Sequence, residues 1–391
     1  MQQKTTADEI DLESASFFEN PYPTYRTLRD QAPAYYLPSR NLWLVTRYRD
    51  VANALSDHAT YSSAKGNTII DTPTRVGRTL GSIDPPRHDE LRTIVRRGFT
   101  VERLEAQIPA VRQHAVEALT ALKENGGGDV VRDFSSPVLF AALGRMLGLD
   151  EPAARRAAEL SVGLFDNRED PFGKALPEPR FAEIMAFLKT ELDRRRGARG
   201  DDLFSVLINA QDGGAKLPDD VIVGNMSTVL LAGNASIGHF LPNLIHALWL
   251  HPDQRRSLQR NPEKWDAAID ESVRWDTSTQ SFARQVTADV TIENKTIPAD
   301  SRVVLFYASA NRDERTIPEP DLFDIERKRT RHFGFGSGAH FCLGAQLTWR
   351  ILKTIMPEFL SVLGDYELDT ARAVRVRHVM VRGFRQLPVQ C

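Results

Sequence analysis

The chain contains very little cysteine. Only two cysteines occur among 391 residues, and one of them, Cys391, is the last residue. A disulfide framework and a four-ligand zinc site are therefore excluded for the interior Cys342, because no second cysteine lies near it. The lack of paired cysteines also fits a reducing cytosol. Cys342 still offers one soft ligand for a metal that takes its other ligands from elsewhere.

The chain also lacks a strong net charge and long apolar runs. A formal charge of −2 gives no overall attraction to nucleic acid or to an anionic membrane. No run of about 18 apolar residues occurs, and residues 1–19 are polar and acidic rather than basic and then apolar. We therefore predict a soluble, cytoplasmic protein with no membrane anchor, no secretory signal and no nucleic-acid partner.

Helical periodicity dominates the rest of the sequence. Amphipathic patterns separated by Gly, Pro and Asn clusters cover residues 22–31, 101–125, 151–160, 179–197 and 252–259. Short β-type runs occupy residues 42–45, 287–292, 302–306 and 374–381. No repeat or interdomain linker is visible. We predict a mostly α fold with small β-sheets at one side (α+β), built as one domain over residues 21–391 behind a flexible N-terminal segment, residues 1–20.

The longest helical pattern begins at Pro218 and ends at Leu250. Proline at the start and the acidic Asp219 and Asp220 in the first turn suit the unpaired amides and the dipole of a helix N-terminus. At about 1.5 Å per residue such a helix is about 48 Å long and crosses the whole domain. Gly233 and Pro242 both weaken helical hydrogen bonding, so the pattern predicts a local distortion.

The segment around Cys342 carries the most specific pattern. Residues 335–344 read F-G-S-G-A-H-F-C-L-G, which resembles the haem-binding loop of the cytochrome P-450 (haem-thiolate) family. A Gly-rich turn around a buried structural cysteine is the alternative interpretation, but it predicts nothing about the rest of the chain. An iron that has four porphyrin ligands needs only one thiolate. The resemblance implies haem b on Cys342, with Phe335, Gly336, His340 and Gly344 around it.

Distant segments match the same family. Residues 84–92 resemble the entry to the helix that flanks the haem, and His88 and Arg92 share one helical face there. With Arg284 and His340 they are the implied partners of the two haem propionates, because a buried dianion must be paired. A solvated basic face is the alternative for these residues.

Glu271 and Arg274 match the family's E-x-x-R motif. Their spacing places a carboxylate and a guanidinium on one helical face, about seventy residues before Cys342. In the family this pair locks a third arginine in the segment before the haem loop. Leu322 stands where that arginine usually occurs, so we expect Arg327 to replace it in a structural role.

The middle of the long helix departs from the family. The resemblance makes it the central distal helix over the haem, where Ala232 and Gly233 leave room for a flat macrocycle. The usual motif is A-G-x-acid-Thr, whose acid and alcohol deliver protons, but here these positions are Ala235 and Ser236. Serine can still donate and accept a hydrogen bond, whereas alanine relays no proton. The candidate catalytic residues are therefore Asn234, Ala235 and Ser236.

The resemblance leaves three functional hypotheses. The first is a monooxygenase that hydroxylates or oxidatively couples a small organic molecule with dioxygen. The second is a haem-thiolate enzyme of altered distal chemistry, nitric oxide reductase-like or peroxide-using, motivated by Ala235. The third is a haem protein that binds a ligand without turnover. The expected substrate pocket contains Ile69, Phe165, Val229, Thr279, Phe282 and Met380. The loop over residues 61–80 also offers the charged side chains of Lys65, Arg75 and Arg78, for which exposure to solvent is the favoured alternative to binding an acidic group of the substrate.

No flavin or nicotinamide fingerprint occurs, since the Gly-rich segments lack the strand–turn–helix context of a dinucleotide site. The first hypothesis therefore requires electrons from a ferredoxin and a ferredoxin reductase. A basic proximal patch would receive an acidic ferredoxin, with an ordinary solvated surface as the alternative. The candidate residues of this basic patch are Arg96, Arg97, Arg103, Arg331 and Arg350. We expect the protein to be a monomer.

Overall fold

The computed structural model describes residues 10–161, 163, 165–166, 168–173, 178–197 and 200–391, with backbone alone at residues 178, 235 and 236. The α-helices are α1 (Ala15–Glu19), α2 (Tyr22–Gln31), α3 (Tyr48–Ser56), α4 (Arg87–Arg96), α5 (Val101–Glu105), α6 (Ile108–Glu124), α7 (Ser136–Leu147), α8 (Glu151–Ser161), α9 (Glu178–Arg194), α10 (Leu203–Ile208), α11 (Asp219–Leu250), α12 (Pro252–Arg260), α13 (Trp265–Trp275), α14 (Tyr307–Ala310) and α15 (Ala345–Leu363).

The strands are short. They are β1 (Ala34–Leu37), β2 (Leu42–Val45), β3 (Tyr61–Ser62), β4 (Gly127–Asp129), β5 (Gln211–Asp212), β6 (Ala215–Lys216), β7 (Ser281–Val286), β8 (Val290–Ile292), β9 (Lys295–Ile297), β10 (Arg302–Phe306), β11 (Glu367–Leu368), β12 (Val374–Arg375), β13 (Phe384–Gln386) and β14 (Pro388–Gln390). The main sheet has the order β1-β2-β10-β7-β3, in which only the β2–β10 pair is parallel. A second sheet, β11-β14-β4, joins the C-terminal strand to the segment after α6. The expected mostly α fold with small sheets is confirmed.

The central helix α11 organises the core. It packs against α7, α9 and α13, and most of its apolar side chains are buried. By length and composition it could cross a membrane, but most of that stretch lies inside the fold, as in the core helix of a globular protein. The helix is continuous through Gly233 and Pro242, where the sequence predicts a distortion. Tertiary packing along 32 residues outweighs the one hydrogen bond that proline cannot make.

Several predicted elements are displaced. The strands at Leu42–Val45 and Arg302–Phe306 are correct to the residue, but the pattern over 101–125 is two helices, α5 and α6. Pro109 lies in the first turn of α6, where its missing N–H costs nothing, so a new helix starts there. The run at 374–381 is a strand for two residues only and then a turn with isolated bridges.

The described end of the segment predicted to be flexible, residues 10–20, packs on the core instead. Phe17 and Phe18 are buried, and their rings meet edge to face. The Arg382 guanidinium donates to the carbonyl oxygens of Phe18 and Glu19. Two buried aromatic side chains provide enough apolar surface to order a short helix, α1, against the core.

Candidate active site

The Cys342 loop forms the floor of a cavity of about 300 Å³ in the middle of the molecule. Side chains from α4, the sheet strand β7 and the Cys342 loop edge the cavity, and α11 passes over it. Aromatic and aliphatic side chains predominate among its other walls. The cavity is therefore a mainly apolar space with the Cys342 thiol at its base.

Two glycines fix the backbone of the Cys342 loop. Gly336 and Gly338 have φ of 69° and 66°, in the left-handed region that side chains rarely adopt. A Cβ on Gly338 would stand 2.2 Å from the Leu55 carbonyl oxygen, so only glycine lets the loop rest on the end of α3. The Cys342 amide then donates to the Phe335 carbonyl at 2.9 Å and closes the loop.

The Cys342 sulfur lies where α15 begins. Burial raises the pKa of the Cys342 thiol, whereas backbone amides of Gly344 and Ala345 and the Arg92 guanidinium act in the opposite direction. A buried thiol of this kind is a poor free nucleophile. A bound metal cation would supply the charge that deprotonates it, with the amides moderating the thiolate. The environment therefore suits a metal ligand.

Four nitrogen-bearing side chains meet at one edge of the cavity. His88 and His340 lie with ring centroids 4.5 Å apart, and Arg92 and Arg284 line the same cavity. Arg92 Nη2 donates to the Phe341 carbonyl at 2.7 Å, and Arg284 Nη1 donates to the Ala283 carbonyl at 2.8 Å. The sequence placed all four together, and the structure brings them to one edge.

Asp89 contacts the outer nitrogen of His88, with 2.9 Å between Nδ1 and Oδ1, but the inner nitrogens of the two histidines have no acceptor among the described residues. The Nε2 atoms of His88 and His340 are buried, and neither has a hydrogen-bond partner among the described residues. Burial, helped by the positive charges of Arg284, His88 and Arg92, lowers the pKa of His340 to about 3. A dianionic group at this edge would satisfy both nitrogens and both guanidinium groups, so the residues fit a haem with its two propionates.

Tyr307 belongs to this edge but was absent from the sequence prediction. It lines the cavity, and burial raises the pKa of its hydroxyl, which bonds to Arg284. Its position follows from the pairing of β10 with β7, which no local sequence pattern indicates.

Glu271 and Arg274 form a buried, bidentate ion pair. Arg274 Nε and Nη2 each lie 2.7 Å from a Glu271 carboxylate oxygen. Arg327 Nε reaches the same carboxylate at 3.1 Å, and its Nη atoms donate to backbone carbonyls of the 318–322 segment. Arg327 therefore stands where we expected the third arginine. The three side chains hold the segment before the haem loop rather than line the cavity.

The distal residues are placed unequally. Ala232 and Gly233 line the cavity, and a Cβ on Gly233 would stand 2.8 Å from a methyl group of Leu143 on α7. Gly233 therefore permits close packing of α7 on α11 besides leaving room in the cavity. Asn234 is not among the residues that line the cavity, and its Oδ1 points along the helix toward Gly238. The side chains of Ala235 and Ser236 lie outside the described part of the chain.

Five of the six expected pocket residues line the cavity: Phe165, Val229, Thr279, Phe282 and Met380. Ile69 does not. It is buried in the core, while the neighbouring Ile70 lines the cavity. The prediction is one residue out because hydrogen bonds to Asp71, rather than a strand or helix repeat, set the direction of side chains in this loop.

The sequence prediction missed the polar residues of the pocket. They are Asn67, Thr68, Asp71, Thr72, Asn225 and Thr228, whereas Arg75 was expected among the charged residues of this loop and does line the cavity. For Asn225 and Thr228 a signal existed, because they precede Val229 and Ala232 at helical spacing and so share their face. For the loop residues no periodic signal was present.

The fold and the site define a class. No group of three or more His, Cys, Asp or Glu side chains suited to a metal occurs in the described part of the chain. The Cys342 thiol beside an edge of unpartnered donors is suited to a metal that brings its own macrocycle. This is the arrangement of a haem-thiolate protein.

Comparison with known proteins identifies the family. The family model "Cytochrome P450" matches residues 174–380. Cytochrome P450 130 of Mycobacterium tuberculosis is 34% identical over 397 residues, which cover 94% of each chain. The 6-deoxyerythronolide B hydroxylase of Saccharopolyspora erythraea is 32% identical, covering 97% of this chain and 98% of that protein. The chain belongs to the cytochrome P450 family, whose members carry haem on a cysteine thiolate, and it is an oxidoreductase of the monooxygenase type.

Solved structures agree with this assignment. P450 EryK, as a mutant in complex with erythromycin B, superposes with a TM-score of 0.87 at 28% identity, covering 95% of this chain and 96% of that one. P450BioI, in complex with an acyl carrier protein ligated to hexadec-9Z-enoic acid, gives a TM-score of 0.87 at 26% identity, covering 97% of this chain and 100% of that one. The expected cytochrome P450 fold is confirmed.

Proposed function

We propose that this chain oxidises a small organic molecule with dioxygen at a haem b held by Cys342. The observation that carries the proposal is the Cys342 thiol beside a mainly apolar cavity whose edge presents four donors to a dianion. When bound, the haem supplies the redox chemistry that activates dioxygen. Hydroxylases and a monooxygenase among the relatives favour this reaction over ligand binding without turnover.

The residues of the chain divide the remaining work. Cys342 provides the axial thiolate, and His88, Arg92, Arg284 and His340 pair with the propionates. Apolar walls exclude water and position the substrate. Ser236 keeps a hydroxyl at the alcohol position of the distal helix, so we assign proton delivery to Ser236 together with ordered water.

Replacement of each cysteine tests the ligand. We expect the wild type to give the carbon monoxide difference spectrum typical of thiolate-ligated haem. Cys342→Ala should lose it, and Cys391→Ala should keep it, because Cys391 is the exposed terminal residue. A Cys342→Ala protein that retains the thiolate spectrum, or a wild type that never shows it, contradicts the proposal.

We further propose that a ferredoxin, reduced by a ferredoxin reductase, delivers electrons at the proximal face. Phe341, next to the haem ligand, is exposed, and Arg96, Arg97 and Arg331 are exposed arginines of the surrounding segments. Arg103 and Arg350 are half-buried and lie near Asp201 and Glu105. Exposed cations around an exposed aromatic ring favour an acidic protein partner.

Charge reversal tests the electron-delivery face. In a stopped-flow instrument, reduced ferredoxin should reduce the haem of the double variant Arg96→Glu/Arg97→Glu about tenfold or more slowly than that of the wild type. A higher salt concentration should bring the two reduction rates closer together, because salt screens the charges. Arg372→Glu, which removes an exposed arginine paired with Asp369, serves as the control. Equal rates in the three proteins would contradict docking at this face.

The second candidate is altered distal chemistry, motivated by Ala235 at the acid position. Rapid mixing of nitric oxide-loaded protein with NADH and no partner protein separates the two candidates, because direct reduction supports the second. A second test concerns proton delivery in the monooxygenase reaction. If proton delivery limits that reaction, the double variant Ala235→Asp/Ser236→Thr should raise oxygen-coupled turnover and lower the release of peroxide. If turnover and peroxide release are both unchanged, proton delivery does not limit the reaction.

We also propose that the enzyme is a cytoplasmic monomer whose catalytic domain is residues 21–391 together with residues 10–20, which pack on its core. The near-zero net charge and the burial of α11 within the fold support this assignment. Light scattering on the purified haem protein should give one chain per particle, with a dimer mass as the contrary result.

A further inference from the structure

One wall of the cavity is polar, in contrast to the others. Asp71 and Arg75, from the loop between β3 and α4, line it together with Asn225 and Thr228 of α11. The remaining distal walls are apolar, with Phe165, Phe181, Val229 and Met380 among their residues. The cavity is therefore suited to a molecule with an apolar body and one polar end.

Asp71 is already fully engaged by the protein. Its carboxylate accepts the amides of Asn67 and Thr72 at 3.1 and 2.9 Å and pairs with Arg75 Nη1 at 3.2 Å. A Cβ on Gly66 would stand 2.4 Å from it, so the loop is wrapped closely around this carboxylate. The charge of Asp71 therefore organises the loop and is spread over several donors.

Arg75 is not fully engaged. Its side chain is 11% exposed and lines the cavity, and its Nε is buried without a hydrogen-bond partner in the described part of the chain. A buried N–H that lacks a partner lowers stability, and a ligand acceptor would restore the missing hydrogen bond. The next loop arginine, Arg78, differs because it pairs at the surface with Asp220.

A second guanidinium adds positive charge on the same side. Arg302 donates through Nη2 to the carbonyls of Gly66 and Thr68, and its Nη1 is buried without a partner among the described residues. Burial lowers the pKa of Arg302 to about 10, although Asp71 acts in the opposite direction. Arg75 is paired with Asp71, and Arg302 lies near the same carboxylate without pairing with it, which leaves one positive charge beside the polar wall.

We propose that the substrate is an amphipathic monocarboxylic acid whose carboxylate binds Arg75 at the polar wall. The excess positive charge favours a carboxylate over a neutral acceptor such as an ester or ketone. The apolar walls opposite accept the hydrocarbon part and place it over the cavity floor. This inference rests on the proposed function and names the substrate class for the same site.

Matched ligand pairs test the carboxylate. Medium-chain fatty acids and bicyclic carboxylic acids are compared with their methyl esters, by equilibrium dialysis and by the spin-state shift of the haem protein. The best acid should bind the wild type about 10- to 100-fold more tightly than its ester, the range expected for a hydrogen bond to a charged group. Arg75→Gln should abolish that preference without weakening the ester, and Arg75→Lys should keep part of it.

Controls separate this inference from the proposed function. Arg78→Gln should bind acids like the wild type, and every variant should retain the carbon monoxide difference spectrum of the wild type. If that spectrum is absent from the wild type, the proposed function fails. If Arg75→Gln alone loses haem, Arg75 serves the haem and the inference is overturned. Esters that bind as tightly as acids, or no acid that binds, also overturn it while the haem-thiolate assignment stands.

Discussion

At Glu271, a single buried carboxylate serves three separate groups. Arg274 and Arg327 both bind it, and the Asp324 amide donates to it at 3.0 Å. Its side chain is only 4% exposed, so water cannot replace these contacts. Loss of its charge would leave two guanidinium groups in low dielectric without a counter-ion.

We therefore expect Glu271→Gln to lower the free energy of unfolding by about 3 kcal/mol, the lower end for breaking a buried pair. Urea denaturation of the haem protein, followed by circular dichroism, measures the change. Glu151→Gln is the matched control, since Glu151 also pairs with an arginine on a helix but its side chain is 84% exposed. The control should change stability by less than about 0.5 kcal/mol. Equal effects in the two variants would show that burial is not the cause.

Single residues also show where sequence reasoning stops. Cys342 and its four nitrogen-bearing neighbours could be named because each occupies a position in a fixed motif. Arg327 could be inferred because the usual arginine is replaced by Leu322. Ile69 was chosen in place of Ile70 because side-chain direction in this loop depends on hydrogen bonds to Asp71. For Arg75 the sequence favours exposure to solvent over a role in the pocket, and only the burial of its Nε decides between the two.

Among the elements, the loop that carries Cys342 depends on close contact with α3. Gly338 sits against the Leu55 carbonyl, whereas a Cβ on Gly77, which also has positive φ, would have nothing within 4 Å. Alanine at position 77 would therefore suffer only from the left-handed backbone, whereas alanine at position 338 would also clash with a neighbouring backbone atom.

We expect Gly77→Ala to cost about 1–2 kcal/mol of stability from the left-handed backbone alone. Gly338→Ala should cost clearly more, because its Cβ meets a backbone oxygen and the Cys342 loop must move. It should also release haem faster. Thermal unfolding and haem transfer to apomyoglobin measure the two effects. Haem release at the wild-type rate in Gly338→Ala would contradict the role given to this contact.

The long helix α11 shows how packing overrides a local signal. Proline and glycine within a helix predict distortion, yet the helix continues across both. Asn243, next to Pro242, is fully buried and donates to the Asp276 and Arg382 carbonyls, which anchors this part of the helix to neighbouring segments. Such contacts join residues far apart in the chain, so no window of sequence contains them.

Across the whole molecule, buried histidines set the response to acid. Burial lowers the pKa of His239 to about 4, of His246 to about 3 and of His378 to about 4, all from an ordinary 6.5. The unfolded chain binds these protons below about pH 6.5, whereas the folded chain stays neutral until about pH 4. Stability from these groups is therefore complete above pH 6.5 and is lost as the pH falls.

Each buried histidine should contribute a slope of about 1.4 kcal/mol per pH unit between about pH 6 and pH 5. We expect His246→Phe to lower the pH dependence of the unfolding free energy by the contribution of one histidine. Phenylalanine is chosen because it keeps the ring contacts with Trp249 and Phe384. Urea unfolding from pH 7 to pH 5 measures it. His114→Phe changes an exposed histidine and should leave the slope unaltered. A His246→Phe slope equal to that of the wild type would contradict the assignment.

The sequence by itself determined the candidate haem ligand, the candidate donors for the propionates, the long central helix and the predominantly helical architecture. These follow from fixed spacings and helical periodicity, which are local properties of the chain. Only the tertiary structure decided which loop side chains face the cavity, that Tyr307 joins the donor edge, and that Arg75 keeps an unpartnered N–H there. Those features depend on which distant segments pack against a given atom and exclude water from it, and these contacts exist only in the folded protein.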